Sequence, residues 1–263
     1  MCWVVSSSEQ FEGRADRYLE EGALTGQKLF RVIARGHAVE AGGGSEVTLI
    51  DPMELAPTED RVVAPEVLYA TFRQIAARAR EEGFSGVRVL ADMRWVLAHP
   101  LIRSDLAAFE LRLDEVVTEL HATVVCLYRQ GDHPARDLAE TVAVHPLVGG
   151  QPPADRGLRI WNVDRGTWEV AGEIDESNVD AFERAMSAIM AAGPVRRLRC
   201  GGLRFISAAG IRVLTEIGMA RPDQTLVIQN ASPILRRCWA TLELDEDLPQ
   251  VGFEPAAGEE VAG

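Results

Sequence analysis

The sequence predicts an α/β protein of two domains, and three observations carry the prediction. Strand-like and helix-like apolar patterns alternate from the start of the chain, a Gly- and Pro-rich segment at 149–157 interrupts them, and 263 residues exceed one modest domain. Hydrophobic residues make up 47% and charged residues 25%, a composition that lets each half bury a core without a metal or disulfide.

The elements follow in order. Cys2 to Val5 reads as a strand, and Ser6-Ser7-Ser8 supplies an N-cap for a helix over Glu9 to Glu21, where Phe11, Ala15, Tyr18 and Leu19 share one face. Gly22 and Gly26 mark its end, and Lys28 to Ala34 is a second strand. A polar loop from Gly36 to Ser45 leads to the strand Val47 to Ile50, broken by Asp51-Pro52. Val67, Leu68, Phe72, Ile75 and Ala79 form the stripe of a helix over Pro65 to Glu82, and Val87 to Ala91, apolar apart from Arg88, is a strand ending at Asp92. A helix from Ser104 to Leu120 with Ser104 as its cap, a strand over Thr123 to Tyr128 and a helix over Pro134 to Val144 complete the first domain, residues 1–148.

Residues 149–157 read as an exposed linker. The second domain, residues 158–248, opens with a hairpin of Leu158 to Val163 and Thr167 to Ile174 around Asp164-Arg165-Gly166. Ser177 with Asp180 forms a capping box for a helix over Asn178 to Ala191. Strand Arg196 to Cys200, helix Ala208 to Ala220, strand Thr225 to Gln229 and a helix from Pro233 to Leu242 follow, the last started by Ser232-Pro233. The small, acidic residues of 249–263 predict a disordered tail.

The formal net charge of -13 excludes broad contact with phosphate backbones, so no nucleic acid is expected as a partner. Cys2, Cys126, Cys200 and Cys238 are scattered and spell neither a zinc ribbon nor a redox pair. No apolar run reaches the roughly 20 residues of a membrane span. The start lacks the basic region of a signal peptide, and a cytoplasmic protein without a membrane partner is expected.

Gly172-Glu173-Ile174-Asp175 with Asn178, then Leu203-Arg204-Phe205-Ile206-Ser207-Ala208-Ala209-Gly210-Ile211, make the second half resemble the STAS domain of anti-sigma factor antagonists. In that family the second motif usually reads Asp-Ser-Ser-Gly or a close variant, and a kinase phosphorylates its first serine. Here Ser207 falls on the aspartate and Ala208 on the phosphoserine, so the usual switch is missing. The resemblance implies a partner surface of Asp175, Asn178, Ser207, Ala208 and Gly210. Ser207 itself reads as the N-cap of the helix that follows.

The first half resembles the MEDS sensory domain, a bacterial sensor family linked to hydrocarbon derivatives and related in fold to RecA-like ATPases. The residues that carry this are Cys2-Trp3, Glu20 to Gln27, Arg88 to Trp95, Phe109-Glu110, Val125 to Tyr128 and His145-Pro146. The two resemblances imply a RecA-like, mostly parallel sheet domain lacking a P-loop and a smaller STAS-like α/β domain. The implied partner is an anti-sigma factor or related regulatory protein; a small-molecule ligand and a homodimer are further candidates.

The chemistry of the residues fits binding better than catalysis. Gly22-Ala23-Leu24-Thr25-Gly26-Gln27-Lys28 lacks the spacing and the lysine placement of a phosphate loop, and Gly42-Gly43-Gly44-Ser45-Glu46 lacks the lysine altogether. No Gly-x-Ser-x-Gly elbow or metal-ligand spacing of His37, His99, His121, His133 and His145 is present, so no cofactor or metal is expected and the histidines read as surface or turn residues. Asp92 stands where α/β folds place ligand-contacting groups, at a strand's carboxyl end. Trp95 and Glu110 are candidates for the same crevice, with core packing of Trp95 and local pairing of Glu110 as competing readings. The expected role is regulatory, not enzymatic. A divergent nucleotide hydrolase and a non-sensing scaffold are the alternatives.

Overall fold

The computed structural model describes residues 1–6, 8–33, 46–55, 64–150 and 157–254, with backbone alone for 8–11. The expected loop at 36–45, most of the expected linker and the last nine residues of the expected tail lie outside them. The chain divides into two compact units, one of Met1–Phe109, Val116–Val142 and Leu147–Ala154, the other of Glu110–Glu115, Ala143–Pro146 and Asp155–Gly263.

The first unit is built on six parallel strands: β1 (Cys2–Val5), β2 (Lys28–Val32), β3 (Val47–Ile50), β4 (Val87–Asp92), β5 (Thr123–Arg129) and β6 (Val148–Gly150), in the order β3-β2-β4-β5-β1-β6. Helix α1 (Ser8–Leu24) covers one face, where Ala15, Tyr18 and Leu19 meet Trp3, Val5, Leu29, Leu90, Val125 and Leu127. Helix α2 (Pro65–Glu81) covers the other, with Ala76 and Ala79 against Phe30, Val87 and Val89. Alternate residues of each strand feed opposite faces, so the central strands β4 and β5 are apolar except at Arg88 and at their ends, as a sheet covered on both sides requires.

The helix expected from Ser104 begins two residues later, at Leu106. A short α3 (Pro100–Arg103) precedes α4 (Leu106–Leu120), and the cap is Asp105, whose Oδ1 accepts the Ala108 N–H at 3.2 Å. After these comes α5 (Ala135–Ala143).

The second unit holds β7 (Arg159–Asp164), β8 (Thr167–Ile174), β9 (Val195–Ile206), β10 (Thr225–Gln229) and β11 (Val251–Glu254), ordered β11-β10-β9-β8-β7. The β7–β8 hairpin is antiparallel and the remaining pairs are parallel. Helices α6 (Val179–Ala191) and α7 (Ala208–Ala220) present apolar stripes, Phe182, Met186 and Ile189 from one and Ile211, Leu214 and Ile217 from the other. Two further helices, α8 (Pro233–Thr241) and α9 (Leu244–Asp247), precede β11.

Three expectations need correcting. The linker does not begin at 149, because Gly149 and Gly150 belong to β6 beside β1. Glycine there is a requirement of the sheet edge, since a Cβ at Gly150, with φ +86°, would lie 1.9 Å from the Val4 carbonyl oxygen. The tail is not disordered from 249, because residues 251–254 pair with β10. Finally, the capping box of Ser177 is not formed: Asn178 is the N-cap residue of α6, and its side chain turns back to the preceding strand.

Candidate functional site

At the carboxyl end of the first sheet, Asp92 closes β4 and opens a 3-10 helix, Met93–Ala98, by accepting the Arg94 N–H at 3.2 Å. The Arg94 guanidinium also donates to both carboxylate oxygens, at 3.0 Å from Nε and 2.5 Å from Nη2. Arg129, at the end of neighbouring β5, brings Nη2 to 3.6 Å from Oδ2. Burial pushes the Asp92 carboxyl up, but the Arg94 hydrogen bonds and the charges of Arg94 and Arg129 outweigh it, and its pKa falls below the usual carboxylate value. The sequence placed Asp92 correctly; the arginines that neutralise it went unread.

Trp95 follows on the same 3-10 helix and is buried. Its ring meets His99 edge-on at 5.9 Å and Phe109 at 5.8 Å, and Phe109 stacks on Tyr69 at 5.6 Å. Trp95 thus stands in a cluster of aromatic rings. Its Nε1 and the His99 Nε2 have no hydrogen-bond partner among the described residues. Each such buried donor costs about 1–3 kcal/mol. Glu110 is buried as well and lies 3.5 Å from His145 Nε2, a local pairing.

Of the histidines expected on the surface or in turns, His121 is exposed in the turn after α4 and His37 lies outside the described residues, whereas His99, His133 and His145 are buried. Burial holds the His133 imidazole below its ordinary pKa, and its ring lies 5.4 Å from that of Tyr128. His99-Pro100 carried one readable signal, a polar residue just before a helix-starting proline, and its Nδ1 does accept the Ile102 N–H at 3.3 Å.

The phosphate-loop look-alike at Gly22 to Lys28 ends a helix instead of starting one. Gly26, at φ +72°, donates to the Ala23 carbonyl and Gln27 to the Gly22 carbonyl, while Lys28 pairs with Glu82.

In the second unit the five residues of the expected partner surface gather at one end of the β8–β9 pair. Ile174 and Ile206 are the last residues in register, and the Ser207 N–H donates to the Ile174 carbonyl at 2.8 Å. Asp175 Oδ1 accepts the Ser177 N–H at 2.8 Å, and Asn178 accepts the Asp175 N–H at 3.0 Å while donating to the Glu173 carbonyl at 2.9 Å. The Ser207 Oγ accepts the Gly210 N–H at 3.4 Å, as a cap should. Gly210 lets α7 approach the strands, since a Cβ there would meet Ile206 at 2.7 Å and Ile174 at 2.8 Å.

Ala208 is exposed on this surface, beside the strand end where Phe205 is 51% exposed. Arg204 and Glu173 form an exposed ion pair at 3.3 Å, which contributes little stability. Phe205 and Ala208 are thus exposed beside the exposed charges of Arg204 and Glu173. Bulges in the β8–β9 pairing re-aim its residues, and Gly172 at φ +94° is part of that irregularity.

A family model described as "MEDS: MEthanogen/methylotroph, DcmR Sensory domain" matches residues 1–146. No curated protein matches the chain. Among solved structures, the chain is similar to an anti-sigma factor antagonist from Mycobacterium paratuberculosis at 21% identity, with 39% of this chain and 86% of that one covered and a TM-score of 0.31. It is also similar to the anti-sigma factor antagonist SpoIIAA in its unphosphorylated form, at 20% identity, 32% and 81% coverage and a TM-score of 0.27.

Proposed function

Because the chain belongs to the MEDS family of sensory domains over residues 1–146, we propose that it is a regulatory protein in which that region senses a small ligand and the second binds a protein such as an anti-sigma factor. The partner half of this reading rests on one observation. Asp175, Asn178, Ser207, Ala208 and Gly210, far apart in sequence, meet at the end of β8 and β9 next to an exposed phenylalanine.

The reading includes control without phosphate. A phosphoryl group at the start of α7 would add about -1.5 to -2 charges to this surface, and the exposed alanine has no hydroxyl to carry it. Ser207 has a hydroxyl, but it is buried and occupied as a cap. A sensed ligand takes over the switch, by as much as its own affinity differs between partner-bound and free states, about 1–3 kcal/mol in known couplings. The protein acts in the cytoplasm and is not an enzyme. The absence of any helix long and apolar enough to cross a membrane, among the described residues, is consistent with that placement.

Incubation of the full chain with an anti-sigma factor kinase and ATP tests the control mechanism. Mass spectrometry should find the wild type unmodified. Stoichiometric phosphate on Ser207 would overturn ligand control in favour of the ordinary covalent switch.

A further inference from the structure

Trp95 and His99 are buried donors on neighbouring rings. An indole Nε1–H can only donate, and the His99 Nδ1 is occupied in accepting the Ile102 N–H at 3.3 Å. In the neutral imidazole the lone pair is then on Nδ1 and the hydrogen on Nε2. Neither N–H finds an acceptor among the described residues, in side chains that are 5% and 0% exposed. Folded proteins satisfy nearly all buried donors, so two on neighbouring rings point to an acceptor that the described residues do not supply. Their buried neighbours are aromatic: Phe109 lies against Trp95, and Tyr69 stacks on Phe109 with its hydroxyl donating to the Phe109 carbonyl.

We propose that Trp95 and His99 donate to the oxygen of a small neutral carbonyl compound whose apolar body lies against Trp95, Phe109 and Tyr69, an inference that rests on the sensor reading for its biological use. A carbonyl oxygen has two lone pairs and no hydrogen, which matches two donors. Water or an alcohol brings an O–H that neither donor can accept, and a buried anion would meet no positive charge among these four side chains. The site should therefore discriminate ketone from alcohol, because a site of unpaired hydrogen-bonding groups rejects a ligand that leaves one of them unmatched.

The test is a titration of the full chain with acetone and cyclohexanone, against isopropanol, cyclohexanol and cyclohexane as matched probes. The indole N–H resonance of Trp95, assigned by its loss in Trp95→Phe, is followed by NMR. A saturable shift with a ketone, at about tenfold lower concentration than with the matching alcohol, is expected. Calorimetry should show ketone binding weakened about tenfold in Trp95→Phe and in His99→Asn, the latter keeping an acceptor for the Ile102 N–H. No saturable shift with either ketone, equal binding of the alcohols, or unchanged binding by both variants would overturn the assignment. A different ligand that alters partner binding while the Trp95 resonance stays still would sink the carbonyl site and leave the sensor reading standing. A ketone bound at Trp95 without effect on partner affinity would do the reverse.

Discussion

Asp92 and Asp175 both stand at the carboxyl end of a parallel strand, and their surroundings put them to opposite uses. Asp92 is buried and spent on Arg94 and Arg129, so its charge is neutralised inside the fold. Asp175 is half-buried, steadies the turn into α6 and adjoins Ser207 and the exposed Ala208. An acid at a strand end thus marks a place in the fold, and the cations within reach decide whether it faces a ligand or closes on itself.

Asp92→Asn should have the largest effect, because it removes the carboxylate that the mostly buried Arg94 and Arg129 face. A loss on the order of 3 kcal/mol is expected from chemical denaturation at neutral pH. The pH dependence has a definite sign. The folded-state pKa is depressed, so the contribution is present above the unfolded carboxylate range and fades as pH falls through the lower folded value. Wild type and variant should converge in acid; a gap that stays constant there would show that the ion pair is not its source.

Gly172→Ala strikes the other strand end. A Cβ at Gly172 would sit 1.6 Å from the Gly157 carbonyl oxygen, on a residue at φ +94°. About 2 kcal/mol of destabilisation is expected, and a melting temperature within a degree of wild type would mean that the irregular strand relaxes freely. Ser207→Ala removes only the cap of α7 and should cost about 1 kcal/mol. Ala208→Ser, exposed and uncapping nothing, should stay within about 0.5 kcal/mol of wild type. Equal losses at the two adjacent positions would refute the division of labour between cap and surface. The smallest effect is a null: ATP and GTP should be hydrolysed no faster than in buffer. Turnover abolished by Asp92→Asn would revive the hydrolase alternative.

Much of the architecture was legible because it is local. The apolar runs of β1, β4 and β5, the stripe of α2, the Ser232-Pro233 start of α8 and the β7–β8 hairpin each carry their pattern within a few residues. Strands β6 and β11 were missed because they are short and lie in segments rich in glycine, proline or acidic residues that carry no strand periodicity. The same division holds for the sites. The place of Asp92 at the end of β4 and the motif residues around Asp175 and Ser207 were readable locally, but the burial of Asn178, Ser207 and Gly210 was not. Nor was that of His99, because nothing within its own segment says that the imidazole will be buried beside Trp95. Arg94 and Arg129 went unread because their approach to Asp92 depends on the fold joining β4 to β5.

The central claim is that the exposed end of β8 and β9 is a protein-docking surface with no phosphate switch of its own. Calorimetric titration of the full chain with an anti-sigma factor, comparing wild type with Ala208→Glu, tests it most directly. The account predicts that the wild type binds, that ATP and kinase leave this binding unchanged, and that the added negative charge weakens it at least about tenfold, near 1.4 kcal/mol. Equal affinity of the two proteins, or no binding by the wild type, would contradict it.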